Sequence, residues 1–131
     1  MEFTLLPLGA GQDIGRSCMI ASASGVNVML DCGVHMGFKD ERRYPEFKAV
    51  SSTGRYTDVI HAVVISHFHL DHIGALPYFT EVLGYRGPII MSHATRALAP
   101  LMLDDYLGIA RQVPLLKITR AECIQGKLWC V

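Results

Sequence analysis

The stretch Ala62-Val63-Val64-Ile65-Ser66-His67-Phe68-His69-Leu70-Asp71-His72-Ile73-Gly74-Ala75-Leu76-Pro77 decides the reading of this chain. An apolar run of strand character ends at Ile65, and a helix start is expected shortly after His72. Between them stand three of the chain's six histidines and one carboxylate. Imidazole and carboxylate together suit zinc, iron or a similar transition ion. In an extended segment His67, His69 and Asp71 share one face. A turn into a helix redirects Asp71 and His72, so His-x-His-x-Asp-His can offer two pairs of ligands to two neighbouring metal positions. Packing alone explains such a cluster poorly, because burying it without a metal leaves several polar groups in need of partners.

Working outward, Phe3 to Leu8 reads as a first strand. Ser17 to Ala23 and Val26 to Leu30 read as two more, joined around Ser24-Gly25. Gly9-Ala10-Gly11-Gln12-Asp13-Ile14-Gly15 forms a tight loop. Its glycine spacing misses the dinucleotide fingerprint by one position and no helix follows, which argues against nucleotide binding. Asp31 ends the third strand beside a glycine turn. There it can hydrogen-bond a ligand histidine or form a simple Asx turn. Residues 37–56 are polar and are expected to be a surface excursion, with Arg42 and Arg43 on a solvated face of mixed charge. His35 and His61 stand outside the cluster and read as structural. Beyond the motif, a helix is expected over 74–84 with Pro77 in its first turn. A short strand Ile89-Ile90-Met91 should follow, then a helix from Arg96 capped by Thr95. His93, at the end of that strand, can approach the cluster and support it. The alternation of strands and helices gives an α/β layered fold.

At 131 residues the chain is long enough for one domain with a core. Half its residues are hydrophobic and 18% are charged, which excludes a disordered composition. Twelve basic residues balance twelve acidic ones. This excludes the strongly basic surface of an autonomous nucleic-acid binder. Cys18, Cys32, Cys123 and Cys130 show no CxxC pair and read as reduced thiols of an intracellular protein. No secretory leader, prenylation box, nuclear import signal or apolar run near the roughly 18 residues of a membrane span is visible. The expectation is a protein with no membrane contact.

The run Ser66 to Pro77 resembles the signature of the metallo-β-lactamase superfamily, and more narrowly its RNA-cleaving β-CASP branch. Pro7-Leu8-Gly9-Ala10-Gly11-Gln12-Asp13-Ile14-Gly15-Arg16-Ser17-Cys18, Met29-Leu30-Asp31-Cys32-Gly33 and His35-Met36-Gly37-Phe38 carry the resemblance further, from about Phe3 to about Ala110. It implies the N-terminal half of a four-layer αββα sandwich, with residues 1–111 as a partial metallo-β-lactamase domain. It implies two zinc ions in a complete site, one on His67 and His69, the other on Asp71 and His72. Asp71 would also orient the attacking water, and Asp31 would support the ligands. It places the glycine loop beside the active site. The implied substrate is nuclear RNA, including small nuclear RNA precursors, cut near the 3′ end. The implied partners are subunits of an Integrator-like 3′-end processing complex. The implied compartment is the nucleus, with the cytoplasm as a second location.

The chain departs from the family's pattern in two ways. No histidine follows His93, so the family's downstream ligands are missing. Residues 112–131 match nothing in the family and are expected to be a divergent tail of a truncated form. Such a form would bind zinc weakly, would not cleave RNA alone, and would leave one sheet face uncovered. Two other readings stand beside a zinc endoribonuclease. One is a small-molecule metallo-hydrolase of the same superfamily. The other is a non-catalytic truncated protein that competes for the partners of a complete enzyme.

Overall fold

The computed structural model describes residues 2–110 and 128–130, the last three and Ile109–Ala110 through their backbone only. Six strands form one mixed sheet in sequence order: β1 Phe3–Gly9, β2 Cys18–Ala23, β3 Val26–Leu30, β4 Ala62–Val64, β5 Ile89–Met91 and β6 Leu128–Cys130. β1, β2 and β3 are antiparallel, with Leu6 opposite Ile20 and Ile20 opposite Met29. From β3 onward the pairing is parallel, with Met29 beside Val63 and Val63 beside Ile89. Parallel strands need crossovers, and the helices supply them. These are α1 Tyr56–Val59, α2 Leu70–Ile73 and α3 His93–Ala110, with a π-helical turn at Tyr78–Val82.

The register makes one row of residues the floor of the core. Ile20, Met29, Val63 and Ile89 are all buried and pack in one cluster with Ile73, Leu76, Phe79, Tyr85 and Leu103 from the helical layer. The opposite sheet face carries Phe3, Leu5, Val26 and Leu30, all exposed. Among the described residues that face is uncovered. The tail 112–131 lies outside the described residues except for β6, which pairs in parallel with β5.

The helical layer differs from the sequence expectation at three places. The turns after the motif begin at Leu70, not Gly74, and run in two pieces, α2 and the π-helical turn. The cause is tertiary. Ala75 N–H, which a continuous helix would aim at Asp71, donates to Cys32 O at 3.0 Å, and Asp71 O accepts from Ser17 N–H at 2.8 Å. Helix α3 begins at His93, with Ser92 rather than Thr95 at its head. Ser92 O accepts Arg96 N–H at 2.9 Å and its hydroxyl accepts Thr95 N–H at 3.3 Å. Thr95 is buried inside the helix. Pro100 lies within α3, where its missing N–H costs a backbone bond.

The surface excursion is also tighter than its polarity suggests. Arg42 is exposed and its guanidinium pairs with Asp40 at 2.7 Å, which holds the Asp40 carboxyl down at about 2. Arg43 is buried, and its Nη1 donates to Tyr106 Oη on α3 at 3.3 Å. The excursion is thereby tied to the helical layer, not left on a solvated face. Cys18 and Cys32 are buried free thiols. Cys123 lies outside the described residues.

Burial pushes both thiols well above their ordinary value of 9.0, and it pushes Tyr44 and Tyr85 up to about 12. The folded chain therefore holds protons that the unfolded chain gives up. Stability from this source is whole below pH 9 and is lost as pH rises through the folded values. The urea midpoint should hold level to about pH 9, the ordinary thiol value, and fall above it. The double variant Cys18→Ala/Cys32→Ala should show a shallower fall.

Candidate metal centre

Segment 31–34 holds the motif from below through the backbone. Asp31 N–H donates to Val64 O at 2.9 Å, Cys32 N–H to His72 O at 2.8 Å and Val34 N–H to Leu70 O at 3.1 Å. Gly33 N–H donates to Ser17 O at 2.9 Å. The glycine loop, the end of β3 and the first turn of α2 are thus laced together. Gly33 is buried so closely against the Asp71 carbonyl group that a Cβ there would collide with it. That contact explains the glycine after Asp31-Cys32.

The side chains meet above this backbone lattice. Asp31 is buried and takes a left-handed backbone with φ +60°. A non-glycine residue pays for that geometry only where its surroundings enforce it. Its carboxylate accepts Ser66 N–H at 2.8 Å and the Ser66 hydroxyl at 2.9 Å. It also lies 2.8 Å from His72 Nδ1. A carboxylate only accepts, so His72 carries its proton on Nδ1 and keeps the lone pair on Nε2. The Ser66 hydroxyl, having donated to Asp31, accepts from His67 Nδ1 at 2.9 Å. His67 Nε2 then accepts from His69 Nδ1 at 3.1 Å. One buried carboxylate thereby orders the three rings, and the Nε2 lone pair of His67 is the one taken up, by His69.

For His67 and His72 this is the arrangement of metal-binding histidines, whose far ring N–H is held by a carboxylate or another oxygen. The rings of His67 and His69 are 4.7 Å apart and those of His67 and His72 are 4.1 Å apart. Asp71 Oδ2 is 3.4 Å from His72 Nε2. As the side chains stand, no three His, Cys, Asp or Glu residues among the described ones form a ready cage for one ion. Ring nitrogens that a metal would occupy instead hydrogen-bond each other. The donor set and its support nevertheless fit zinc, with His67, His69, Asp71 and His72 as the residues to hold it.

The other residues named from the sequence fall as follows. His93 is exposed in the first turn of α3, and Asp31, not His93, is the residue in hydrogen-bond contact with the cluster. His61 is exposed and its Nδ1 accepts Asn27 N–H at 3.1 Å, joining the segment between α1 and β4 to β3. Ser66 is the functional side chain that residue-by-residue reading missed. Its position directly before His67 was the available signal.

Residues 11–120 match the Metallo-beta-lactamase superfamily. The chain is 59% identical over 108 residues to Integrator complex subunit 11 of Gallus gallus, covering 82% of this chain and 18% of that protein. It is 55% identical over 106 residues to cleavage and polyadenylation specificity factor subunit 3-II of Arabidopsis thaliana, covering 81% and 17%. It is 43% identical over 104 residues to cleavage and polyadenylation specificity factor 73 of Drosophila melanogaster, covering 79% and 14%. The chain therefore spans less than a fifth of the length of these relatives. In fold it is similar to an archaeal metallo-beta-lactamase superfamily protein from Sulfolobus tokodaii. The TM-score is 0.55 at 20% identity, over 97% of this chain and 48% of that one.

Removing the Asp31 carboxylate frees the His72 ring and breaks the Ser66 relay together. Asp31→Ala should weaken zinc binding by about 10–100-fold, as loss of a ligand's supporting carboxylate does. Competition against a chromophoric chelator measures this. Gly33→Ala should destabilise the fold by about 1–3 kcal/mol through overpacking, read from urea unfolding.

Proposed function

The chain belongs to the metallo-β-lactamase superfamily, and from that premise we propose that it is the ligand-bearing front part of a zinc-dependent endoribonuclease. The proposed role is 3′-end processing of nuclear RNA, with RNA as substrate and Integrator-like subunits as partners in the nucleus. The observation that carries the reading is the 59% identity to Integrator complex subunit 11 over a segment that includes the whole motif. A small-molecule hydrolase has weaker support. Its solved neighbours, such as an N-acyl homoserine lactone hydrolase at 15% identity, share the fold alone.

His67 and His69 would hold one zinc ion, and Asp71 and His72 a second. When bound, zinc supplies a Lewis acid for the phosphate oxygens and a water deprotonated near neutral pH. The chain's own residues do the positioning. Asp31 fixes the His72 ring through Nδ1, and Ser66 passes the same constraint to His67. Asp71, at the mouth of α2, orients the attacking water. Residues 1–111 make up the partial catalytic domain in this reading, and 112–131 a divergent tail.

Four side chains do not fill two tetrahedral spheres, and no histidine follows His93 in these 131 residues. By that count the 131 residues taken by themselves do not complete a two-zinc site. Alone they should bind zinc weakly and leave RNA intact. Residues 3–110 should replace their counterpart in full-length Integrator complex subunit 11 with cleavage of an RNA substrate retained. His69→Ala in that chimaera should abolish cleavage. A chimaera that opens a lactone but spares RNA would overturn the nuclease reading, and cleavage by the isolated chain would overturn the ligand count.

A further inference from the structure

A cavity of about 380 Å³ lies against the metal motif, bounded in part by Ile14, Gly15, His35, Met36, Leu70 and Asp71. The volume falls within the range of small-ligand sites. Its walls are largely apolar, and its polar side chains are Asp71, from the motif, and His35. Ile14 and Met36 on its rim are 91% and 59% exposed, far more than apolar side chains that serve a core.

His35 is held in one orientation. Its backbone N–H donates to Arg43 O at 2.8 Å, and its ring packs on Phe38 with centroids 4.5 Å apart. Two glycines grip the ring. A Cβ on Gly15, which has φ +118°, would sit 3.0 Å from His35 Cδ2, and one on Gly37 would sit 2.9 Å from Cε1. His35 Nδ1 accepts Gly37 N–H at 3.0 Å. A nitrogen that accepts has no proton, so the ring proton is on Nε2. Nε2 lies between Cδ2 and Cε1, on the edge flanked by the two cavity-lining glycines. Among the described residues Nε2–H has no hydrogen-bond partner. A clamped ring with a set tautomer and an unspent donor is more than packing requires of a histidine.

We propose that this cavity takes the nucleotide next to the bond to be cut. His35 Nε2–H donates to an oxygen of its ribose–phosphate backbone, and Ile14 and Met36 lie against its sugar and base. The inference rests on the RNA reading above and adds a substrate-binding residue outside the metal motif. His35 is thereby more than the structural residue that the sequence suggested. It also gives the glycines at 15 and 37 a common purpose, since each makes room for the ring.

The test uses the 131-residue chain at saturating zinc and a fluorescein-labelled oligouridylate, followed by anisotropy. His35→Asn keeps an acceptor for Gly37 N–H but loses the outer donor. It should bind the oligonucleotide about 3–10-fold more weakly, the range for one lost hydrogen bond, with zinc content unchanged. His35→Gln extends an amide N–H toward the Nε2 position and should recover binding to within about twofold of the parent. In histidine-selective nitrogen NMR the parent should show a proton on His35 Nε2 whose resonance moves when oligouridylate is added. Equal binding by His35→Asn, or a ring proton on Nδ1, overturns the inference and leaves the RNA reading intact. If His35→Asn fails to fold, the resonance shift in the parent decides. If the parent chain binds no oligouridylate at saturating zinc, this inference falls, while the RNA reading is decided by cleavage in the chimaera.

Discussion

The carbonyl oxygen of Asp71 is the point on which the rest of the site depends. In an uninterrupted helix it would accept Ala75 N–H. Here it accepts Ser17 N–H from the glycine loop, and Ala75 N–H turns to Cys32 O. The neighbouring carbonyls of Leu70 and His72 likewise accept from Val34 and Cys32. A backbone amide bond is worth about 1 kcal/mol net, but leaving one buried and unmade costs more. The helix thus gives up its own continuity without leaving orphans. In exchange, two separate parts of the chain, Ser17 and segment 32–34, are fixed to the one turn that carries Asp71 and His72. The cost falls on residue choice at 33, where even a methyl group has no space.

The same economy shapes the side chains. Asp31 is a buried carboxylate in a left-handed backbone, two unfavourable conditions at once. Three donors compensate the first: Ser66 N–H, the Ser66 hydroxyl and His72 Nδ1–H. The parallel pairing of β3 with β4 compensates the second, since it delivers Asp31 and Ser66 side by side at neighbouring strand ends. The thiols of Cys18 and Cys32 lie beneath, and the Asp31 charge adds to burial in keeping them protonated. A negative thiolate there would compete for the same donors. Neutral thiols leave Asp31 as the carboxylate that orders the rings.

The sequence made the strands legible because their apolar runs are short, separate and bounded by glycine or polar turns. Val26 to Leu30, Ala62 to Ile65 and Ile89 to Met91 needed no tertiary information, and the motif was legible from residue type and spacing. What escaped depended on contacts across the chain. The start of α2 moved from Gly74 to Leu70 because partners in segments 17 and 32–34 stabilise helical geometry before the glycine. Ser92 displaced Thr95 as the cap because Thr95 is needed inside the core. Arg43 looked like one charge in a polar run, and only Tyr106 on α3, 63 positions away, shows why it is buried. Local propensity is a weak prior at such places, where tertiary context overrides it.

Charge then constrains how the proposed RNA substrate would be recognised. With twelve basic and twelve acidic residues there is no net field to draw in a polyanion. Arg42 is already paired with Asp40. Affinity must come from a few directed contacts, and these gather on one side of the sheet ends. The motif would bring positive charge through its metal, and the cavity beside it offers apolar rim and one fixed donor. A neutral donor discriminates by position rather than attraction, since it rewards an acceptor only at hydrogen-bond distance. In the proposed reading, metal charge would supply the pull and the clamped ring the register. Cutting at a defined bond requires both, because a strand held by charge alone can slide past the metal ligands without being set for reaction.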